Sequence, residues 1–208
     1  MKIVLDFGSS NTCRNNPKII KRMIDELARV DKQRKCIIKF QIWSVYNPQG
    51  ENLRLEEDMF DYAYSYGNSL GFEVTASVFD KESLDFLLEH EIPFVKIANR
   101  KELYWLIDYI PRTMPVYISY DNEVYLPKCL GEQDKGLYCV SKYPADIRDY
   151  WGKDNLKHIS DHTIGVRVLC RHGWELETWE KHFKLPDSSG LDAGDFAITP
   201  KELGEILG

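Results

Sequence analysis

At 208 residues, with 43% hydrophobic and 29% charged side chains, the chain carries enough apolar material for a sizeable core and is not composed like a disordered protein. Its 27 Lys and Arg against 33 Asp and Glu give a formal net charge of −6, which argues against a general nucleic-acid binder, since such a binder needs a basic face to release counterions from phosphates. Positive charge that handles an anionic ligand must therefore be local.

Taken in order, short β-rich runs alternate with amphipathic segments. Residues 2–7 read as a strand, and the turn after them, Gly8-Ser9-Ser10-Asn11-Thr12-Cys13, is not a GxGxxG turn, so dinucleotide binding has no support. A helix over 17–29 puts Ile20, Met23, Ile24 and Leu27 on one face, with Pro17 at its tolerant start. Further strands are predicted over 36–42, 72–78, 94–98, 116–120, 137–141, 158–160 and 176–182. Further helices fall over 56–70, 81–90, 101–110, 145–151 and 200–207. The connection 121–135 is short and rich in helix breakers. About eight βα units without a linker or composition shift predict an α/β fold, a compact TIM (β/α)8 barrel formed as one domain over 1–208, with a shortened connection after strand 5.

Cys13, Cys36, Cys129, Cys139 and Cys170 are odd in number and form no CxxC pair. No charged-then-apolar leader follows Met1. Reduced thiols and a cytoplasmic location are the expectation. No apolar run approaches the roughly 20 residues of a membrane span.

Chemistry gathers on the inward parity of the strands. Ile38, Phe40 and Ile42 share one face of their strand, and Lys39 and Gln41 the other. Lys96 alternates with Val95 and Ile97. Cys139, Ser141 and Tyr143 share a parity, as do Glu180 and His182. Two inward lysines on separate strands call for an anionic partner and suggest a phosphate or carboxylate ligand. His90 and His172 end helical patterns and read as structural. His162 and His182 end the seventh and eighth strands, neighbours in a closed barrel, where they are either ligands of one divalent ion or ordinary core or rim histidines. Glu180 has three open roles: an orienter of a ligand, a third ligand, or a partner for a lysine.

Several words in the sequence are similar to those of one family in the same order. They are Lys39-Phe40-Gln41, Thr75-Ala76-Ser77-Val78-Phe79-Asp80, Lys96-Ile97 with Asn99, and Cys139-Val140-Ser141-Lys142-Tyr143-Pro144. Asn155-Leu156, Ser160-Asp161-His162-Thr163, Glu180-Lys181-His182-Phe183 and a closing Pro200-Lys201-Glu202-Leu203 follow. By these the chain resembles the sialic acid synthase family, the phosphoenolpyruvate-dependent nonulosonate synthases. The resemblance implies a TIM barrel with a divalent cation, manganese foremost and magnesium or cobalt as alternatives, on His162 and His182. It implies phosphoenolpyruvate on Lys39, Lys96, Ser119, Ser141 and Ser160, and an N-acetylmannosamine-like aldose beside Gln41, Tyr143 and Asp192. Asp6 is expected in a catalytic role, with Ser77 and Asn99 among the substrate contacts.

The sequence also departs from the pattern. Asp6, Asn11 and Thr12 stand where the family has a Glu and an Asn-His pair, and Asn99-Arg100 where it has an acidic residue. Ser119-Tyr120-Asp121 replaces a Ser-Thr-Gly turn. Asp192 and Asp195 compete for one sugar-binding place. The resemblance implies a homodimer; the family's antifreeze-like lid domain is not expected within these 208 residues, which makes a separate lid-domain chain the alternative partner. The alternatives to a synthase are a diverged, non-catalytic sugar- or anion-binding barrel and a different metal-dependent aldolase or isomerase.

Overall fold

In the computed structural model, which describes residues 1–43, 53–121, 131–153, 155–173 and 175–208, eight parallel strands close a barrel in chain order. They are β1 (Lys2–Gly8), β2 (Cys36–Ile42), β3 (Val74–Val78), β4 (Val95–Ile97), β5 (Val116–Tyr120), β6 (Lys135–Cys139), β7 (His158–Asp161) and β8 (Thr178–His182). The helices are α1 (Ser10–Cys13), α2 (Pro17–Val30), α3 (Glu57–Ser69), α4 (Lys81–Leu87), α5 (Arg167–His172) and α6 (Pro200–Leu207). Most of the predicted short connection 121–135 lies outside the described residues, as does Cys129. Among the described residues, no helix is long and apolar enough to cross a membrane.

Local chemistry explains where the helices start. Asn16 accepts the backbone N–H of Lys18 just before Pro17, and α2 then buries Ile20, Met23, Ile24 and Leu27. Asp80 with Ser83 and Thr199 with Glu202 form reciprocal capping boxes on α4 and α6. The structure also corrects several expectations. The segment predicted as a helix over 81–90 stops at Leu87, and just beyond it the His90 ring donates to the Phe86 carbonyl at 3.1 Å, satisfying an end-of-helix acceptor. Lys101–Tyr109 and Ile147–Tyr150 are 3-10 turns. In the first, the buried Leu103 and Leu106 are three apart, a spacing that a 3-10 turn serves as well as an α-helix. The sixth strand runs Lys135–Cys139 rather than 137–141, because its pairing with β5 sets Tyr117 opposite Lys135 and Tyr120 opposite Tyr138. Strands predicted from 72, 94 and 176 begin later, although Phe72, Phe94 and Leu176 are buried. The four residues of α1 and six of α5 are too short to show helical periodicity.

Period-2 alternation divides the core in two. Outward residues such as Leu5, Ile38, Phe40, Ala76, Val78, Ile97 and Ile118 pack under the helices. Inward, Val4, Ile37, Phe94, Tyr117 and Leu137 plug the lower barrel, with the Phe94 and Tyr117 rings stacked 3.9 Å apart. Two residues on from each plug residue the inward position turns polar or titratable: Asp6, Lys39, Lys96, Ser119 and Cys139. The plug thus forms an apolar floor under a chemical layer at the C-terminal ends of the strands, where barrels of this kind carry their sites.

Candidate active site

A cavity of about 600 Å³ opens above that floor. Its walls include Asp6, Lys39, Gln41, Ser77, Lys96, Asn99, Ser119, Ser141, Tyr143, Ser160, His162, His182 and Asp192, so of the candidates named from the sequence only Asp195 is missing.

Lys39 and Lys96 place positive charge just above the apolar floor, and both are almost wholly buried. Lys39 donates to Asp6 at 2.5 Å and to Ser77 at 3.0 Å, and lies 3.8 Å from Glu180. Lys96 donates to Ser119 at 2.6 Å and to the Ile97 carbonyl at 3.1 Å, and lies 3.7 Å from Glu180. Of the three roles open to Glu180, the structure thus makes it a partner of both lysines. Its Oε1 accepts from Ser160 at 2.7 Å, while its buried Oε2 has no hydrogen-bond partner among the described residues. Internal carboxylates thus already balance the lysines, and an incoming anion must compete with them.

The titration directions follow from these contacts. Burial opposes charge on Lys39, but Asp6 and Glu180 outweigh it and raise its pKa. On Lys96 burial prevails over Glu180, and the pKa is lowered. Burial would raise the pKa of Asp6 and Glu180, but the nearby ammonium groups hold both carboxylates below their ordinary range.

The rim is built by the loop after β1 and the chain after β8. Gly8 has φ +77°, and a Cβ there would stand 2.6 Å from the Asp192 Cβ. Only a glycine admits both that backbone and that approach. Asp192 accepts from the Ser9 N–H and hydroxyl, each at 3.1 Å, and from Gln41 at 3.2 Å, while Gln41 also donates to Asp6 at 3.0 Å. The Leu191 N–H donates to Asn11 at 2.6 Å. The sequence left Asp192 and Asp195 as rivals; Asp192 lines the cavity, while Asp195 is exposed and does not. Ser141 lies past the end of β6, where it accepts from Asn99 at 3.0 Å. Tyr143 is 56% exposed, its ring 4.3 Å from that of His162.

His162 and His182 face each other at the mouth, with ring centroids 5.6 Å apart. The Val140 carbonyl can only accept, so its 2.8 Å contact places the proton of His162 on Nδ1 and leaves the Nε2 lone pair available. Burial, with His182 nearby, pushes His162 down to about 3 and keeps its ring neutral. His182 Nδ1 is buried without a hydrogen-bond partner among the described residues, 3.9 Å from Asp192, and its Nε2 lies 3.7 Å from Asp6. A neutral imidazole with its tautomer fixed by a carbonyl, beside a second with an unsatisfied buried nitrogen, fits a divalent ion. No group of three or more His, Cys, Asp or Glu among the described residues is arranged to enclose one. The fit is that of two protein ligands with open positions. The buried Lys181–Asp161 pair at 3.1 Å, with Trp179 donating to Asp161 at 3.0 Å, braces the backbone behind both histidines.

Trp43, Phe79, Arg100 and Phe196 also line the cavity, although strand alternation assigns none of them a site role. Three of them stand just past strand ends, where alternation no longer assigns a face. Phe196, 4.9 Å from the His182 ring, lies in a loop.

No family model matches the chain. It is 26% identical over 184 residues to the N,N'-diacetyllegionaminic acid synthase of Legionella pneumophila, covering 74% of this chain and 51% of that protein. It is 30% identical over 117 residues to the N-acetylneuraminate-9-phosphate synthase of Drosophila melanogaster, covering 50% of this chain and 31% of that one. The chain thus spans about half the length of the first of these relatives and about a third of the second. In fold it is similar to the N-acetylneuraminic acid synthetase of Leptospira borgpetersenii, with a TM-score of 0.76 at 22% identity over 99% of this chain and 80% of that one. It is also similar to the DAHP synthase of Thermotoga maritima, with a TM-score of 0.69 at 10% identity over 100% and 68%.

Proposed function

We propose that this chain, a relative of the sialic acid synthases by sequence and fold, condenses phosphoenolpyruvate with an N-acetylmannosamine-like aldose to give a nonulosonic acid and inorganic phosphate. The observation that carries the reading is the meeting of Lys39, Lys96, His162 and His182 in one cavity at the mouth of the barrel.

In this reaction the methylene carbon of phosphoenolpyruvate bonds to the aldehyde carbon, whose oxygen takes up a proton and becomes a hydroxyl. The C2 cation so formed is captured by water, which loses one proton; the resulting C2 hydroxyl gives its remaining proton to the departing phosphate as the C2–O bond breaks, leaving a ketone at C2 and hydrogen phosphate. Lys39 and Lys96 are assigned the phosphate and carboxylate of phosphoenolpyruvate, with Ser77, Ser119, Ser141 and Ser160 beside them. Binding a multiply charged anion there draws the ammonium groups from Asp6 and Glu180, where they rest in its absence. Asp6, the carboxylate nearest His182, is assigned the proton released by water. Glu180 remains between the two lysines and limits their mutual repulsion. Gln41, Asn99, Tyr143 and Asp192 are assigned to the aldose. His162 and His182 would hold a divalent ion, manganese foremost with magnesium or cobalt as alternatives, which when bound supplies Lewis acidity at the aldehyde. The reading carries with it a cytoplasmic location and a second chain, a homodimer partner or a lid-bearing subunit, at the mouth.

The test is incubation of the chain with manganese, phosphoenolpyruvate and N-acetylmannosamine while phosphate release is followed. Aldose-dependent release is expected. No release across a panel of aldoses would overturn the reading.

A further inference from the structure

The cavity holds a third cation that the reaction described above does not use. Arg100, three residues past β4, lines it together with Trp43 and Phe79. The rings of Trp43 and Phe79 stack face to face, 3.7 Å apart and 8° from parallel. The guanidinium carbon of Arg100 lies 5.1 Å from the Trp43 centroid and 5.9 Å from that of Phe79. These distances set the guanidinium beside the edges of the stacked rings rather than over a face, so packing against the pair restrains it while its N–H donors stay available to another group.

The other two cations of the cavity have internal partners, Lys39 with Asp6 and Glu180, and Lys96 with Glu180. Arg100 forms no ion pair among the described residues. It is only partly buried, whereas Trp43 beside it is 7% exposed, so the ring pair is held in place and the cation faces the opening. Position adds the last constraint. In a closed barrel of eight strands β4 stands opposite β8, so Arg100 and His182 belong to opposite sides of one mouth. A sugar whose aldehyde lies by His182 extends its far end toward Arg100.

We propose that Arg100 is a specificity-determining residue that binds an oxyanion, a phosphate or a carboxylate, at the end of the aldose remote from the aldehyde. The guanidinium fork suits either group bidentately. This assignment rests on the condensation reading for the orientation of the sugar, but its test does not depend on turnover.

Calorimetric titration of the full chain compares N-acetylmannosamine, its 6-phosphate and a hexuronate, using the wild type, Arg100→Gln and Arg100→Lys. In the wild type at least one of the two anionic sugars binds about tenfold or more tightly than the neutral sugar, as expected for charge-assisted hydrogen bonds. Arg100→Gln abolishes that margin and leaves the neutral sugar's affinity unchanged, and Arg100→Lys restores part of it. Whichever anionic sugar carries the larger Arg100-dependent margin supplies the preferred oxyanion. Equal affinities in the wild type, no measurable binding of either anionic sugar, or a margin that survives Arg100→Gln would overturn the proposal. The margin without phosphoenolpyruvate turnover on any aldose would sink the condensation reading and leave the oxyanion subsite standing. Turnover without the margin would do the reverse.

Discussion

Asp6 and Lys39 stand opposite each other in the β1–β2 register and close a buried ion pair of 2.5 Å on the floor of the mouth. The same lysine reaches Ser77 on β3, and Asp6 also accepts from Gln41, so one pair ties three strands to the rim. It fixes the polar layer and holds an ammonium ready for an anion.

Replacing Asp6 by Asn is expected to destabilise the fold, because it leaves Lys39 buried with a weaker set of partners. Breaking a buried pair from one side costs roughly 3–5 kcal/mol. The pKa of Asp6 is lowered in the folded state. Its contribution to stability is therefore complete above the ordinary carboxylate value of about 4 and is lost as pH falls through the folded value. Urea unfolding between pH 7 and pH 2 should show Asp6→Asn less stable at neutral pH and less sensitive to acid below about pH 4. Equal acid slopes in the two proteins would count against the pair as a contributor.

Metal binding is expected to depend on both imidazoles. His162→Ala and His182→Ala, titrated with manganese by calorimetry, should each lose affinity by at least about tenfold, and the double variant should show no binding. Their circular dichroism should match the wild type, since both rings, though buried, line the cavity and belong to neither apolar cluster. Unchanged binding would refute the assignment of these two residues.

Gly8→Ala tests the rim. A side chain at φ +77° is strained, and its Cβ would enter the space of Asp192 and of Thr12, whose nearest atoms lie 2.6 Å from it. A loss of about 1–2 kcal/mol in stability is expected from the backbone alone. The displaced Asp192 should raise the KM for the aldose several-fold while that for phosphoenolpyruvate stays near the wild-type value. Equal changes in both would mean that the loop acts on the whole site.

The barrel and much of the site could be read from the sequence because a strand's period of two is rigid. Lys39 alternating with Phe40, and Lys96 with Ile97, point inward whatever the loops do. His162 and His182 were legible for the same reason, standing at or just past the ends of neighbouring strands. Legibility failed where that period ends. Trp43, Phe79 and Arg100 lie one to three residues beyond β2, β3 and β4, and their place at the cavity follows from loop geometry. The choice of Asp192 over Asp195 depends on a contact with Ser9 across 183 positions, which no local pattern encodes. Glu180 as a partner for a lysine is among the roles its parity leaves open, whereas the pairing of Asp6 with Lys39 was hidden, because it forms only where β1 and β2 come into register.

The condensation itself can be followed with phosphoenolpyruvate labelled with carbon-13 at C3, mixed with manganese, the chain and N-acetylmannosamine or its 6-phosphate. The product is predicted to carry the labelled carbon bonded to the former aldehyde carbon, visible by nuclear magnetic resonance, with one phosphate released per bond formed. Phosphoenolpyruvate that stays intact, or label that appears only in pyruvate, would contradict a carbon–carbon bond-forming role for this barrel.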